Sequence, residues 1–164
     1  MTVVATPPPS APPEGSPLPR RGDRYRVVAP NNAHAAKLAR DFVATLLRVT
    51  GHPGLVDDAR LCVSEVVGNV YCHTRSRLIR VDVAIAPQRV TVHVTDDQPE
   101  PLPLTVPGPG AESGRGLLIV DRLSLRWGAT VQGRGRRQTK TVWFVLVGPE
   151  PELQASPRRG EREL

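Results

Sequence analysis

Residues 79–96 have the sequence IRVDVAIAPQRVTVHVTD. Apolar side chains occupy alternate positions on both sides of the central Ala-Pro-Gln-Arg stretch. Such alternation is typical of strands that place one face on a core and the other in a polar environment. The segment therefore predicts two consecutive strands, 79–85 and 90–96, each with a core face and a polar face.

Two helical patterns precede these strands. Apolar residues recur at helical spacing over residues 35–47, after Asn31 or Asn32, either of which can cap a helix. The sequence Gly-His-Pro-Gly at 51–54 ends this pattern, because glycine and proline interrupt helices. A second helix is predicted from Leu55 to His73.

The remaining elements complete a layered α/β pattern. A first strand is predicted from Arg24 to Ala29, and a proline-rich loop covers Gln98–Pro109. A short helix, Leu117–Leu123, then precedes two strands, about Leu125–Val131 and Thr139–Val147. This order predicts an α/β two-layer sandwich with a mixed, mainly antiparallel sheet and the helices on one face.

Composition limits the chain to one folded domain. Residues 1–23 are rich in proline, and residues 148–164 mix proline, glutamate and arginine, so both are predicted to be disordered tails. The folded domain is predicted over 24–147, and a chain of 164 residues can bury a sizeable core.

Charge and cysteine use bear on partners and compartment. The net charge is +6, and Arg134, Arg136, Arg137 and Lys140 cluster in a predicted hairpin. No aromatic residues interleave with them, which argues against nucleic-acid binding and favours nucleotide phosphates or an acidic protein surface. The N-terminus lacks the charged-then-apolar pattern of a signal peptide, so none is expected, and no apolar run approaches about 20 residues.

The two cysteines favour a reducing compartment. Cys62 and Cys72 lie ten residues apart in one predicted helix, too far apart to pair, and are interpreted as small buried hydrophobic residues. A cytoplasmic protein is expected.

Glu65 and Asn69 lie one turn apart on one face of the second helix. A carboxylate can polarise a water or accept a proton, and an amide oxygen can bind Mg²⁺. Gly68 between them is unfavourable in a helix and is compatible with close approach of a ligand or a neighbouring backbone. The pair alone is also compatible with a solvated helix face.

Two further motifs leave alternatives open. Asp96 continues the parity of the core-facing valines, so its carboxylate is predicted to be buried and to need a partner. An adenine amino group and a cluster of backbone N–H groups are both candidates. Gly114-Arg115-Gly116 precedes a helix, where glycines and free N–H groups can bind phosphate, although a lone Gly-x-Gly more often forms a flexible turn.

The order of these motifs resembles that of the histidine-kinase-like ATPase superfamily, which includes gyrase, histidine kinases and MutL repair proteins. Residues 63–74 and 113–128, together with the Lys-Thr-Val-Trp-Phe sequence at 140–144, look most like the serine kinases that act as anti-sigma factors. The resemblance covers 24–147 and implies a Bergerat-type ATP-binding fold.

The resemblance also implies roles for the matching residues. Glu65 would be the general base, and Asn69 would hold the Mg²⁺ that bridges the ATP phosphates. Asp96 would accept a hydrogen bond from the adenine amino group. The phosphates would be bound by Gly114, Arg115 and Gly116. Lys140 would add a phosphate contact, although it is equally compatible with a solvated hairpin lysine. Thr141 would reach the base or a nearby water.

One segment departs from the family pattern. The superfamily usually has Asp-x-Gly-x-Gly at the adenine-binding acid, whereas residues 96–100 are Asp-Asp-Gln-Pro-Glu. Both glycines, which permit tight turns beside a nucleotide, are replaced.

Three functions are therefore compared. The first is an ATP-dependent serine/threonine kinase that phosphorylates an anti-anti-sigma partner and otherwise binds a sigma factor, with a homodimer possible. The second is a binding module that captures partners without phosphoryl transfer. The third is a basic nucleic-acid binder, whose affinity would fall steeply with salt.

Overall fold

A computed structural model describes residues 22–97 and 115–149. The predicted tails and the proline-rich loop lie almost entirely outside these ranges, so their boundaries stay predictions. The strands are β1 (Asp23–Pro30), β2 (Leu78–Ile85), β3 (Arg89–Asp96), β4 (Arg126–Gln132) and β5 (Thr139–Val147). The α-helices are α1 (Ala35–Val49), α2 (Val56–His73) and α3 (Arg115–Leu123).

The strands form one sheet in the order β1-β2-β3-β5-β4, and every neighbouring pair is antiparallel. The predicted α/β fold is confirmed, with no parallel pair among the described strands. Strand β3 lies at the centre, between β2 and β5. Its core-facing Val94 lies opposite Val81 of β2 and Val142 of β5, and Asp96 lies opposite Ile79 and Lys140.

The apolar core lies between one face of the sheet and the helices. Helices α1 and α2 pack side by side and both contact the sheet, while α3 packs on α2. Because aromatic residues form only 4% of the chain, branched aliphatic side chains fill most of this space. Full burial of each contributes about 1.5–3 kcal/mol. The completely buried residues of this core include Val43, Leu47, Val63, Val90, Val92, Val120 and Phe144.

The start of α1 differs from the prediction. Neither asparagine caps the helix, which begins at Ala35 after an N-cap residue, His34, whose side chain makes no capping bond. Asn32 Oδ1 instead accepts the N–H of His34 at 2.9 Å, and Asn31 Nδ2 donates to the carbonyl of Ser76 at 2.8 Å. The asparagines therefore shape the turn between β1 and α1, which is the other common role of this residue type.

The outer face of the sheet, which points away from the helices, also differs from the prediction. Thr91, His93 and Thr95 of β3 were expected to face a polar environment, but they are 0–6% exposed. Strands flank β3 on both sides, and the large side chain of Trp143 lies directly opposite His93. A polar face is retained on β2, where Arg80 is only half-buried.

The cysteines divide between two environments. Cys62 is buried, as expected, whereas Cys72 is exposed, and both are free thiols. Burial raises the pKa of the Cys62 thiol to about 12, and the carboxylates of Asp58 and Glu65 add to the effect. Cys62 therefore stays protonated and packs as a small apolar side chain.

Candidate functional site

Glu65 and Asn69 lie where the sequence predicts them, in the middle of α2. Both are half-buried, whereas Val66, Val67 and Val70 on the other side of the helix are buried in the core. The acid and the amide therefore share the border between core and solvent. At this border a polar side chain keeps its charge or dipole because part of it reaches solvent, and packing on the other side fixes its position.

Gly68, between these two residues, is half-buried and lies beside open space. A Cβ added there would meet no neighbouring atom within 4 Å. Close packing of a neighbouring backbone therefore does not account for this glycine. The open space beside it is compatible with the approach of a ligand to Asn69.

The first turn of α3 lies directly against Glu65. A Cβ added at Gly116 would lie 3.0 Å from Cβ and 3.2 Å from Cδ of Glu65, and it would overlap the carboxylate oxygen Oε2. Only glycine fits this contact without moving the acid. The structure thus brings together Glu65 and Gly116, two residues that are distant in sequence.

This contact has an electrostatic consequence. The first turn of a helix carries unpaired backbone N–H groups and the positive end of the helix dipole, which favour anions. The Glu65 carboxylate occupies part of this environment, and a phosphate would find the same N–H groups. Arg115 begins α3, and Gly114 lies outside the described residues, so the predicted phosphate contacts of both remain predictions.

At the end of β3, Asp96 forms an ion pair with a lysine. Lys140 lies directly opposite on β5, and its Nζ is 3.4 Å from Asp96 Oδ2. The two side chains are 2% and 1% exposed, respectively. The predicted burial of Asp96 is confirmed, and Lys140 is a partner that was not considered from the sequence. Lys140, in turn, is not a solvated hairpin lysine.

Thr141 lies on the other face of the sheet. Its register partner is Thr95, and the two hydroxyl oxygens are 2.8 Å apart and hydrogen-bonded. Successive residues of a strand point to opposite faces, so the side chain next to Asp96 is that of Lys140 and not that of Thr141. The role that the resemblance implies for Thr141 therefore stays a prediction that this geometry does not favour.

Sequence reasoning missed the residue that anchors the end of β3. The buried hydroxyl of Ser76 accepts the backbone N–H of Asp97 at 3.1 Å and also contacts the Asp97 carboxylate. Its carbonyl oxygen accepts the bond from Asn31 described above. These bonds tie the segment before β2 to the residue after Asp96, and no local pattern in the sequence indicates them.

The donor set is compatible with a nucleotide-bound magnesium ion. Mg²⁺ usually takes one or two protein ligands together with phosphate oxygens and waters. The amide oxygen of Asn69, one turn from Glu65 and beside the open space at Gly68, can supply such a ligand. No group of three acidic, histidine or cysteine side chains among residues 22–97 and 115–149 could hold a metal by itself.

The fold and these side chains together define a class. A helix-backed antiparallel sheet carries an acid and an amide on one helix, a glycine at the start of another, and a buried acid at a strand end. This combination is that of an ATP-binding domain. The model of the histidine kinase-like ATPase domain matches residues 28–144, and the chain belongs to this family.

Two other findings concern relatives of the chain and its helices. No curated protein matches the chain. None of the helices in the described ranges is both long enough and apolar enough to cross a membrane.

Proposed function

We propose that this ATP-binding domain is a serine/threonine protein kinase of the anti-sigma-factor type. It transfers the γ-phosphoryl group of ATP to a hydroxyl of a small anti-anti-sigma partner, and it binds a sigma factor when that partner is absent. The observation that supports the proposal is the contact between Glu65 and the Gly116 backbone, with Asn69 one turn away. The resemblance of the motifs to anti-sigma-factor kinases supports the choice of partner.

The chemistry asked of these residues is modest. Phosphoryl transfer depends mainly on positioning and on neutralising charge around the phosphates. Glu65 accepts the proton of the attacking hydroxyl, and the start of α3 offers N–H groups to phosphate oxygens. When bound, Mg²⁺ neutralises phosphate charge, with Asn69 as its protein ligand.

A transfer assay with labelled ATP, Mg²⁺ and the cognate partner tests this proposal. Loss of a general base typically lowers a rate by about 10²–10⁴-fold, so Glu65→Gln should reduce transfer by that amount. Asp57→Asn is the matched control, because Asp57 is an exposed acid in the first turn of the same helix. The proposal fails if wild-type protein transfers no phosphate, or if the two variants behave alike.

A second candidate, a binding module without phosphoryl transfer, is favoured by one observation. The glycines expected at positions 98 and 100 are replaced. Calorimetry separates the candidates: this second function predicts ATP binding, capture of the partner and an unmodified partner after prolonged incubation. A phosphorylated partner excludes it.

A further inference from the structure

We infer that Lys140 determines base specificity by donating a hydrogen bond to the ring nitrogen N1 of adenine, next to the amino group that donates a hydrogen bond to Asp96. This inference rests on the proposed binding of ATP at Asp96 and adds a residue to that site. It concerns recognition of the base and is independent of whether phosphate is transferred.

Lys140 is buried to an unusual degree for a lysine. Its side chain is only 2% exposed, and lysine is almost never fully buried without a partner. An ammonium group carries three donors. In the described part of the chain, Nζ has the ion pair with Asp96 but no well-formed hydrogen bond. The Lys140 ammonium group therefore has hydrogen-bond donors without an acceptor, and a buried donor without an acceptor costs free energy.

The Asp96–Lys140 pair is complementary to the edge of adenine. The edge of adenine presents an amino donor at N6 directly beside an acceptor nitrogen at N1. Asp96 and Lys140 present an acceptor beside a donor, with 3.4 Å between Oδ2 and Nζ. A carboxylate has about four lone-pair sites, so Asp96 can accept from the amino group and from Lys140 together. Guanine presents the reverse order, a carbonyl oxygen beside an N–H.

The register of β3 and β5 places Lys140 beside Asp96. Lys140 and Asp96 are register partners and share the helix-facing side of the sheet, whereas the hydroxyl of Thr141 is hydrogen-bonded to Thr95 on the outer face. A base that reaches the Asp96 carboxylate therefore meets the Lys140 ammonium next to it. Nucleotide binding would then satisfy the donors that the ion pair leaves unused.

Nucleotide analogues test the inference on the unaltered full-length protein. Calorimetry compares ADP with 1-deaza-ADP, which lacks N1, and with 7-deaza-ADP, which lacks a different ring nitrogen. Loss of a hydrogen bond to a charged donor should weaken 1-deaza-ADP by about tenfold or more. We expect 7-deaza-ADP to bind within about twofold of ADP, because N7 has no role in the inferred contact.

A protein variant then assigns the effect to Lys140. In Lys140→Met, ADP and 1-deaza-ADP should bind equally, because the donor is gone. Equal affinities for the two ligands in the unaltered protein would overturn the inference, as would tighter ADP binding by Lys140→Met or GDP binding tighter than ADP binding. Absence of ADP binding by the unaltered protein would instead overturn the proposed function. The analogue series stands even if the variant fails to fold.

Discussion

The two faces of β3 bury ionisable groups in different ways. On the helix-facing side, Asp96 lies opposite Lys140 of β5 at 3.4 Å. On the outer face, His93 lies opposite Trp143 of β5 and Asp82 of β2. Burial lowers the pKa of His93 to about 4; the Asp82 carboxylate opposes this shift and the Arg24 guanidinium adds to it.

The difference distinguishes the inferred binding position, at Asp96 and Lys140, from a structural one at His93. On the outer face, the imidazole of His93 is neutral near pH 7, and this lowers the free-energy cost of burying it. On the helix-facing side, opposite charges are placed side by side, and such a pair rarely adds stability over apolar residues of similar size. A pair that contributes little to folding is easier to explain by what it binds, which agrees with its place in the inferred adenine site.

Breaking the Asp96–Lys140 pair should have the largest effect. Lys140→Met removes the cation beside a buried carboxylate, so the free energy of unfolding should fall by about 3–5 kcal/mol. The double variant Asp96→Leu/Lys140→Met removes both charges and should recover most of that loss. Urea denaturation measures both, with Lys37→Met as the control because Lys37 belongs to an exposed ion pair and its loss should change little. A single variant as stable as the wild type would show that the pair is not charged and buried.

The second largest effect is expected from lowering the pH, which should reduce the free energy of unfolding through His93 on the outer face. The unfolded chain protonates His93 near pH 6.5, but the folded protein does so only near pH 4. Between these values the unfolded state binds more protons, so stability is lost as pH falls through this window, by on the order of 1–3 kcal/mol. His93→Gln should show a shallower decline than the wild type in urea denaturation over the same range. Parallel declines would contradict the assignment to His93.

Crowding the indole on the outer face should have a smaller effect. A Cβ added at Gly128 would lie 2.9 Å from Cζ2 of Trp143, so Gly128→Ala must displace the ring. We expect a loss of about 1 kcal/mol, at the low end for overpacking, because β4 is an edge strand and can shift. Thermal melting with tryptophan fluorescence measures it. Gly54→Ala is the control, since an added Cβ there meets nothing within 4 Å; equal melting temperatures for the two variants would contradict the prediction.

The smallest effect is expected at Thr141. Thr141→Val removes its hydrogen bond to Thr95 on the outer face, which should cost at most about 1 kcal/mol. Because this hydroxyl faces away from Asp96, the dissociation constant for ADP should stay within about twofold of the wild-type value. A tenfold weaker ADP affinity in calorimetry would support the role that the family resemblance implies for Thr141.

The secondary structure could be predicted because its signals are local. Alternating valines located β2 and β3 and placed Asp96 on the core side, and helical spacing located α2 with Glu65 and Asn69 one turn apart. The wrong predictions concern contacts. The cap of α1 failed because the side chain of Asn31 bonds to Ser76, far along the chain, and the polar outer face of β3 failed because strands from two other segments flank it.

The sequence by itself determined the order of elements, the family and the kinds of chemical group available, because periodicity and motif order are properties of neighbouring residues. Only the tertiary structure decided that Gly116 touches Glu65 and that Lys140, not Thr141, lies beside Asp96. These contacts depend on helix packing and strand register. In a strand, a register shift of one residue moves every side chain to the opposite face, so the neighbour of a buried acid is decided only when the sheet forms.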